Sequence, residues 1–237
     1  MPPLGPGPSG ELEAYLRINW LVAVIGFILA FLLLTIYVSM RKARKREAEH
    51  LLMSAEAIAA QEAERQRIYM ELHDDILPRL ADRELAARLR GICADLMPPD
   101  FSRLPLSGAL SSLCTAFTRK TGITCDYDIK NEIDSFPISE QDRLHIYRIA
   151  QEAFNNIAKH SGASRATFAA GRQNREDGPR LVLFISDEGA GLTAESARNR
   201  GMGMNAMRQR AAIIGAKLDV IDQESGGCVV RLEIPQV

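Results

Sequence analysis

Hydrophobic positions change their period several times along this chain, and each change marks a new kind of element. From Ile18 to Met40, 23 residues pass without a charge. As a helix this run reaches roughly 34 Å, enough to cross a bilayer core of about 30 Å. It is too long for the apolar core of a cleaved leader, and its basic flank lies on the wrong side. From Lys42 to about Leu80 there is no Gly, and the only Pro is Pro78. Ala, Glu, Gln and Arg predominate there, which predicts a continuing helix. Leu51 and Ile58 lie seven apart, and Ile68, Leu72, Ile76 and Leu80 follow at four-residue steps, a stripe suited to pairing with a second copy. Leu85, Leu89, Ile92 and Leu96 then repeat at 4-3-4 spacing between Asp82, a possible helix start, and Pro98-Pro99, a stop. A turn near Ala81-Asp82 makes the two helices a hairpin. Two hairpins would form a four-helix bundle and bury stripes that one leaves wet, so a homodimer is expected.

Downstream, Leu106, Leu110, Leu113 and Phe117 mark a helix stopped by Gly122, and Thr124 to Ile129 has strand alternation. Ser139 is placed to cap a long helix through His160. Residues 165–170, 180–186, 216–221 and 228–234 read as strands, with a helix over about 205–214. Strands and helices mix without strict βαβ alternation. The predicted fold class is α+β, a sandwich with helices on one face of a sheet.

The 237 residues are 46% hydrophobic and 25% charged with a net charge of -1, which gives no case for direct nucleic-acid binding. Four cysteines, Cys93, Cys114, Cys125 and Cys228, are widely spaced and form no CxxC pair, so a disulfide framework or structural zinc site is not expected. The run Arg41-Lys42-Ala43-Arg44-Lys45-Arg46 follows the apolar stretch, whereas only Arg17, Glu11 and Glu13 precede it. That bias places the C-terminal bulk in the cytoplasm, behind a single-pass anchor in the cytoplasmic membrane. Met1 to Ser9 is Pro/Gly-rich and too short to fold, so no extracytoplasmic sensing domain is expected.

On the helix from Ser139, 100° per residue puts Ile146, Ala150, Ala153, Phe154 and Ile157 on a face that should meet the sheet. Arg148, Glu152, Asn156 and Lys159 fall opposite. Such a face is commonly just solvated charge. Here an Asn carbonyl with a carboxylate one turn away could also hold Mg2+ or its waters, and Lys159 could meet a phosphate. Asp187 ends an apolar run, and Gly189 and Gly191 allow a tight turn beside a flat ligand. A carboxylate there can accept an exocyclic amine; a plain Asp-Gly turn is the bland alternative. Gly201 and Gly203 stand just before the helix expected from Asn205, where backbone N–H groups favour phosphate. Residues 192–200 would be a short lid. His73 sits at the edge of the stripe, with Asp74 able to orient its ring or take its proton.

Taken in order, these segments resemble sensor histidine kinases of the DesK/NarX-like class, over about Glu62 to the C terminus. Glu64 through Leu72-His73-Asp74-Asp75 looks like the histidine box. Tyr147 to His160 looks like the N box, Asp187 to Gly191 the first glycine box, and Gly201 through Met204 to Ala211 the second. The resemblance implies a GHKL-type ATP-binding domain, ATP and Mg2+ as cofactors, phosphorylation of His73, and transfer to an aspartate on a response regulator with a receiver domain. It also implies Asn156 as the metal ligand and Asp187 as the adenine selector. Glu152, Lys159, His160, Gly189, Gly191, Gly201, Gly203 and Met204 would frame the nucleotide. The expected organisation is a tail over 1–17, a transmembrane helix over 18–40, a linker over 41–61, a histidine hairpin over 62–99 and the catalytic domain over 100–237.

Two departures from the family pattern stand out. Only 24 residues separate His73 from Pro98, so both hairpin arms are shortened by several turns. Pro78 stands where many relatives carry Gln, a residue implicated in removing phosphate from the regulator, and proline has no side-chain amide for that task. The shortened hairpin keeps open a membrane-anchored, dimeric ATP-binding module that regulates a partner without phosphorylating itself. A kinase acting on serine in a partner is a third reading, and it leaves the histidine box unexplained.

Overall fold

A computed structural model describes residues 8–191, 201–223 and 226–236. The chain divides into two compact units, Met1–Leu52 and Met53–Val237. The first helix, α1, spans Pro8–Met70. Its part in the first unit leaves Trp20, Phe27, Phe31 and Leu33 exposed, as a helix meant for a non-aqueous surrounding would. It is long and apolar enough to cross a membrane.

In the second unit α1 does not run on to Leu80. Its hydrogen bonding widens to a π-helical stretch over Glu71–Ile76 and then tightens to a 3-10 turn over Leu77–Arg79. Pro78 explains the change, because it has no N–H to give and its ring crowds the preceding turn. Helix α2, Arg83–Leu96, starts where Asp82 Oδ1 accepts the N–H groups of Glu84 (2.8 Å) and Leu85 (3.1 Å). Leu85 and Ile92 on α2 remain about half exposed.

Helix α3, Leu106–Thr121, stops at Gly122, whose φ of +76° is the left-handed cap that lets the chain turn away. Strand β1 follows over Thr124–Ile129. Ser139 and Asp142 then form a reciprocal capping box, and α4 spans Glu140–Asn156 before a π-helical turn over Ile157–Ser161. Strands β2 (Arg165–Arg175) and β3 (Gly178–Asp187) pair antiparallel. Helix α5 (Gly201–Ile213) and strands β4 (Lys217–Asp222) and β5 (Cys228–Pro235) complete the unit.

The five strands lie in the order β1-β2-β3-β5-β4, with only the β1–β2 pair parallel. Along β2, Ala166, Phe168 and Ala170 turn inward at every second position. Leu181, Leu183 and Ile185 do so on β3, and Leu232 and Ile234 on β5. They meet Ile146, Ala150, Ala153, Phe154 and Ile157, the face expected of α4, together with Leu110 and Phe117 of α3 and Met207 of α5. Phe154 joins the layers, its ring 4.6 Å from Phe117 and 5.9 Å from Phe168. The α+β class is as expected, built on a mixed sheet. The 192–200 stretch expected to form a lid lies outside the described residues.

Candidate functional site

Packing α4 on the sheet brings its C-terminal end beside the end of β3. Ala153, Asn156 and Ile157 from α4 and its following turn face Ile185, Asp187 and Gly191 from β3 and its turn. Met204 on α5 and Val220, Cys228 and Val230 on β4 and β5 close a cleft of about 420 Å3, part of it open to solvent. Its walls are apolar except for a few polar groups, a composition suited to a flat, partly apolar ligand fixed by a few directed bonds. Asp187 is buried, and one of its oxygens accepts the Gly189 N–H at 2.9 Å. The turn is tied to α4 by the Ala190 N–H, which donates to Ser161 O at 2.9 Å. A Cβ on Gly189 would run into that same carbonyl. Gly191 has φ +71°, and a side chain there would meet Asp222.

Four of the residues singled out from sequence, Asn156, Asp187, Gly191 and Met204, therefore line one cleft. Glu152 and Gly203 lie against each other one turn farther out, close enough that a Cβ on Gly203 would strike the carboxylate. They border a second, polar cleft with Asn155, Gln61 and Arg65. Gly201 and Gly203 do not precede the helix as expected but form its first turn. Their N–H groups still belong to the end that lacks intrahelical partners. Lys159 is exposed and His160 half-buried in the turn after α4, and neither lines the cleft.

His73 lies apart, in the π-helical stretch, with its side chain 53% exposed. Its Nδ1 is 3.0 Å from Asp74 Oδ1, and Tyr69 stacks on the ring at 5.4 Å between centroids. An ionised carboxylate can only accept, so a neutral ring in this contact carries its proton on Nδ1 and leaves the lone pair on Nε2.

Sequence reasoning missed two features. Gly227, with φ +90°, lets the backbone pass so close to Asp187 O that any Cβ would collide. The Gly226-Gly227 pair between two strands was the available signal. The second is charge. Arg148, expected on an outer face, is buried, and so is Arg210; both bind Glu62. Arg148 donates to Glu62 Oε2 from Nη2 at 2.8 Å and from Nε at 3.1 Å, and Arg210 Nη2 donates to Oε1 at 2.6 Å. Burial would raise the Glu62 carboxyl, but the two guanidiniums hold it below the usual range. Burial, then Arg210, push His145 down. Its Nδ1 stands 3.4 Å from Arg210 Nη1, a donor, so the ring is neutral there.

Residues 141–237 match the family described as histidine kinase-, DNA gyrase B-, and HSP90-like ATPase. Sequence similarity extends well upstream of that segment. The sensor histidine kinase LiaS of Bacillus subtilis is 26% identical over 227 residues, covering 83% of this chain and 60% of that protein. In sequence the chain is similar to sensor histidine kinases over most of its length. The histidine-protein kinase/phosphatase UhpB of Salmonella typhimurium is 29% identical over 221 residues, covering 81% of this chain and 41% of that protein. The oxygen sensor histidine kinase NreB of Staphylococcus carnosus is 25% identical, with 77% and 59% covered. The chain thus spans 41% to 60% of the length of these three relatives. Among solved structures, the histidine kinase domain of the Erythrobacter litoralis EL346 blue-light activated kinase is similar, with a TM-score of 0.49 and 16% identity, over 75% of this chain and 94% of that one.

Proposed function

We propose that this chain is a membrane-anchored, homodimeric sensor histidine kinase. It phosphorylates His73 with Mg-ATP and passes the phosphoryl group to an aspartate on a response regulator. The observation that carries the reading is the single cleft lined by Asn156, Asp187, Gly191 and Met204, four residues drawn from three separated segments. In this reading adenine enters between Ile185 and Val230, its exocyclic amine donating to Asp187, and the phosphates extend toward the first turn of α5. That end offers N–H groups without intrahelical partners and the positive end of the helix dipole.

Among the described residues no cluster of three or more His, Cys, Asp or Glu could hold a metal. Asn156, with Glu152 one turn away, fits an ion that takes one or two protein oxygens and fills its shell with water and phosphate, as magnesium does. When bound, that ion would neutralise charge building on the phosphates. Nε2 of His73 attacks the terminal phosphorus, the bridging P–O bond breaks, and ADP leaves. Asp74 holds the Nδ1 proton and stabilises the positive ring that results. A carboxylate oxygen of the regulator then attacks phosphorus, and the P–N bond breaks.

The organisation that goes with this reading is a transmembrane helix over 18–40, a linker over 41–61, a histidine hairpin over 62–99 and an ATP-binding domain over 100–237, with the bulk in the cytoplasm. Labelled ATP tests it. Wild type should acquire acid-labile, alkali-stable label that disappears in His73→Gln. Nucleotide binding without any label would leave only a regulatory ATP-binding module.

A further inference from the structure

Glu62, eleven positions before His73, joins elements that the kinase reading gives separate tasks. Its carboxylate bridges Arg148 on α4 and Arg210 on α5, whose side chains are 2% and 5% exposed. The helix that carries the phosphate acceptor is thereby seated on the fold that would carry the donor. Arg148 also donates to the Leu96 carbonyl (2.8 Å) and the Asp95 carbonyl (3.3 Å) at the end of α2. One guanidinium thus binds both arms of the hairpin.

The seat is narrow. Among the described residues of α1, Ile58 is the one large apolar side chain that it buries; Ala55, Ala59 and Ala63 supply little surface. Open clefts of about 780 Å3 and 710 Å3 flank it. An ion pair closed in this way gains little net stability, because desolvation of the charges offsets their attraction. It fixes a register more than it holds a domain. On release Arg148 would keep Leu96, Asp95 and Gln151 as partners, and Arg210 would keep His145.

In that register His73 lines neither cleft. Gln61 and Arg65 are the residues of α1 that border the cleft beside Glu152 and Gly203. His73 lies eight residues beyond Arg65, about 12 Å along the helix. Phosphoryl transfer needs the reacting atoms within about 3.5 Å. Resting on the kinase reading, we propose that Glu62 is an electrostatic latch, clasping Arg148 and Arg210 to hold the acceptor helix out of register with the ATP site until it is released.

The full chain in lipid nanodiscs tests this with two substitutions on α1 outside the nucleotide site, Glu62→Ala and Ile58→Asp. Initial labelling of His73 should rise about fivefold or more in each, a modest coupling between sites. Affinity for a fluorescent ATP analogue should stay unchanged, and backbone hydrogen exchange over 53–66 should accelerate. Labelling at or below the wild-type rate, with exchange accelerated, would overturn the latch: the contact would then be positioning the acceptor. Unchanged exchange in both variants would overturn it too, since the segment would not have been released. No label in wild type and variants alike would sink the kinase reading itself, and the latch with it.

Discussion

Asp187 and Asn156 could be singled out because their types and neighbours are unusual: a carboxylate at the end of an apolar run before two glycines, and an Asn one turn after a Glu. What could not be read was how closely the backbone packs around them. Gly189 has no positive φ to announce itself, yet a side chain there would drive into the Ser161 carbonyl. Gly189→Ala should therefore cost about 1–3 kcal/mol in unfolding free energy and weaken nucleotide binding, measured by denaturant titration and by fluorescence. Arg148 escaped the same reading for a different reason. Helical periodicity assigns faces relative to one partner, the sheet, and could not anticipate that α1 would cover the opposite face. His145 was passed over for that reason too, and it carries a pH prediction. Its folded pKa is depressed, so the unfolded chain takes up a proton first as pH falls below the usual 6.5, and stability drops. Glu62 adds a later loss, as pH falls below the usual 4.5 and toward its own depressed value. Arg148 and Arg210 face it, with His145 beside them. The thermal midpoint should fall between pH 7 and 5, and less steeply in His145→Gln.

Elements with strong local signals were placed well from sequence. The Ser139 and Asp82 caps and the Gly122 stop mark helix ends where the structure has them, because each is a short-range bond between a side chain or glycine and its own backbone. Replacing Asp82 with Ala should cost about 1 kcal/mol in a urea titration, since two N–H groups of α2 lose their acceptor. The first hairpin arm was harder. Its composition predicts a helix to about Leu80 that Pro78 interrupts one turn past the histidine, but the effect of Pro78 reaches back to Glu71, so the histidine lies in a π-helical stretch. Such stretches often mark functional sites, and this one turns the His73 ring outward beside Tyr69. Pro78→Ala should restore regular hydrogen bonding around His73 and raise helix content by circular dichroism. If the widened turn is what presents the ring, labelling should fall in the same variant while nucleotide affinity stays unchanged.

The whole molecule poses the question of what covers the hairpin. Met70 and Ile76 on the first arm and Leu85 and Ile92 on the second are all exposed in a single chain, although the core of the ATP-binding fold is closed. Burying such side chains completely is worth about 1.5–3 kcal/mol each. A second hairpin would offer them an equivalent apolar stripe, the arrangement on which the homodimer proposal rests. The arms are short, so the seam has few layers and each carries a large share of the association. Substituting two of them, Leu85→Asp with Ile92→Asp, would place four charges in such a dimer seam. Sedimentation velocity in detergent should then show a shift from dimer to monomer. Nucleotide affinity should remain, because neither position touches the cleft between α4 and β3. If the doubly substituted chain still sediments as a dimer, the two copies are held elsewhere, with the charge-free 18–40 helix the next segment to test, and the exposed stripe of α2 is left for a different partner.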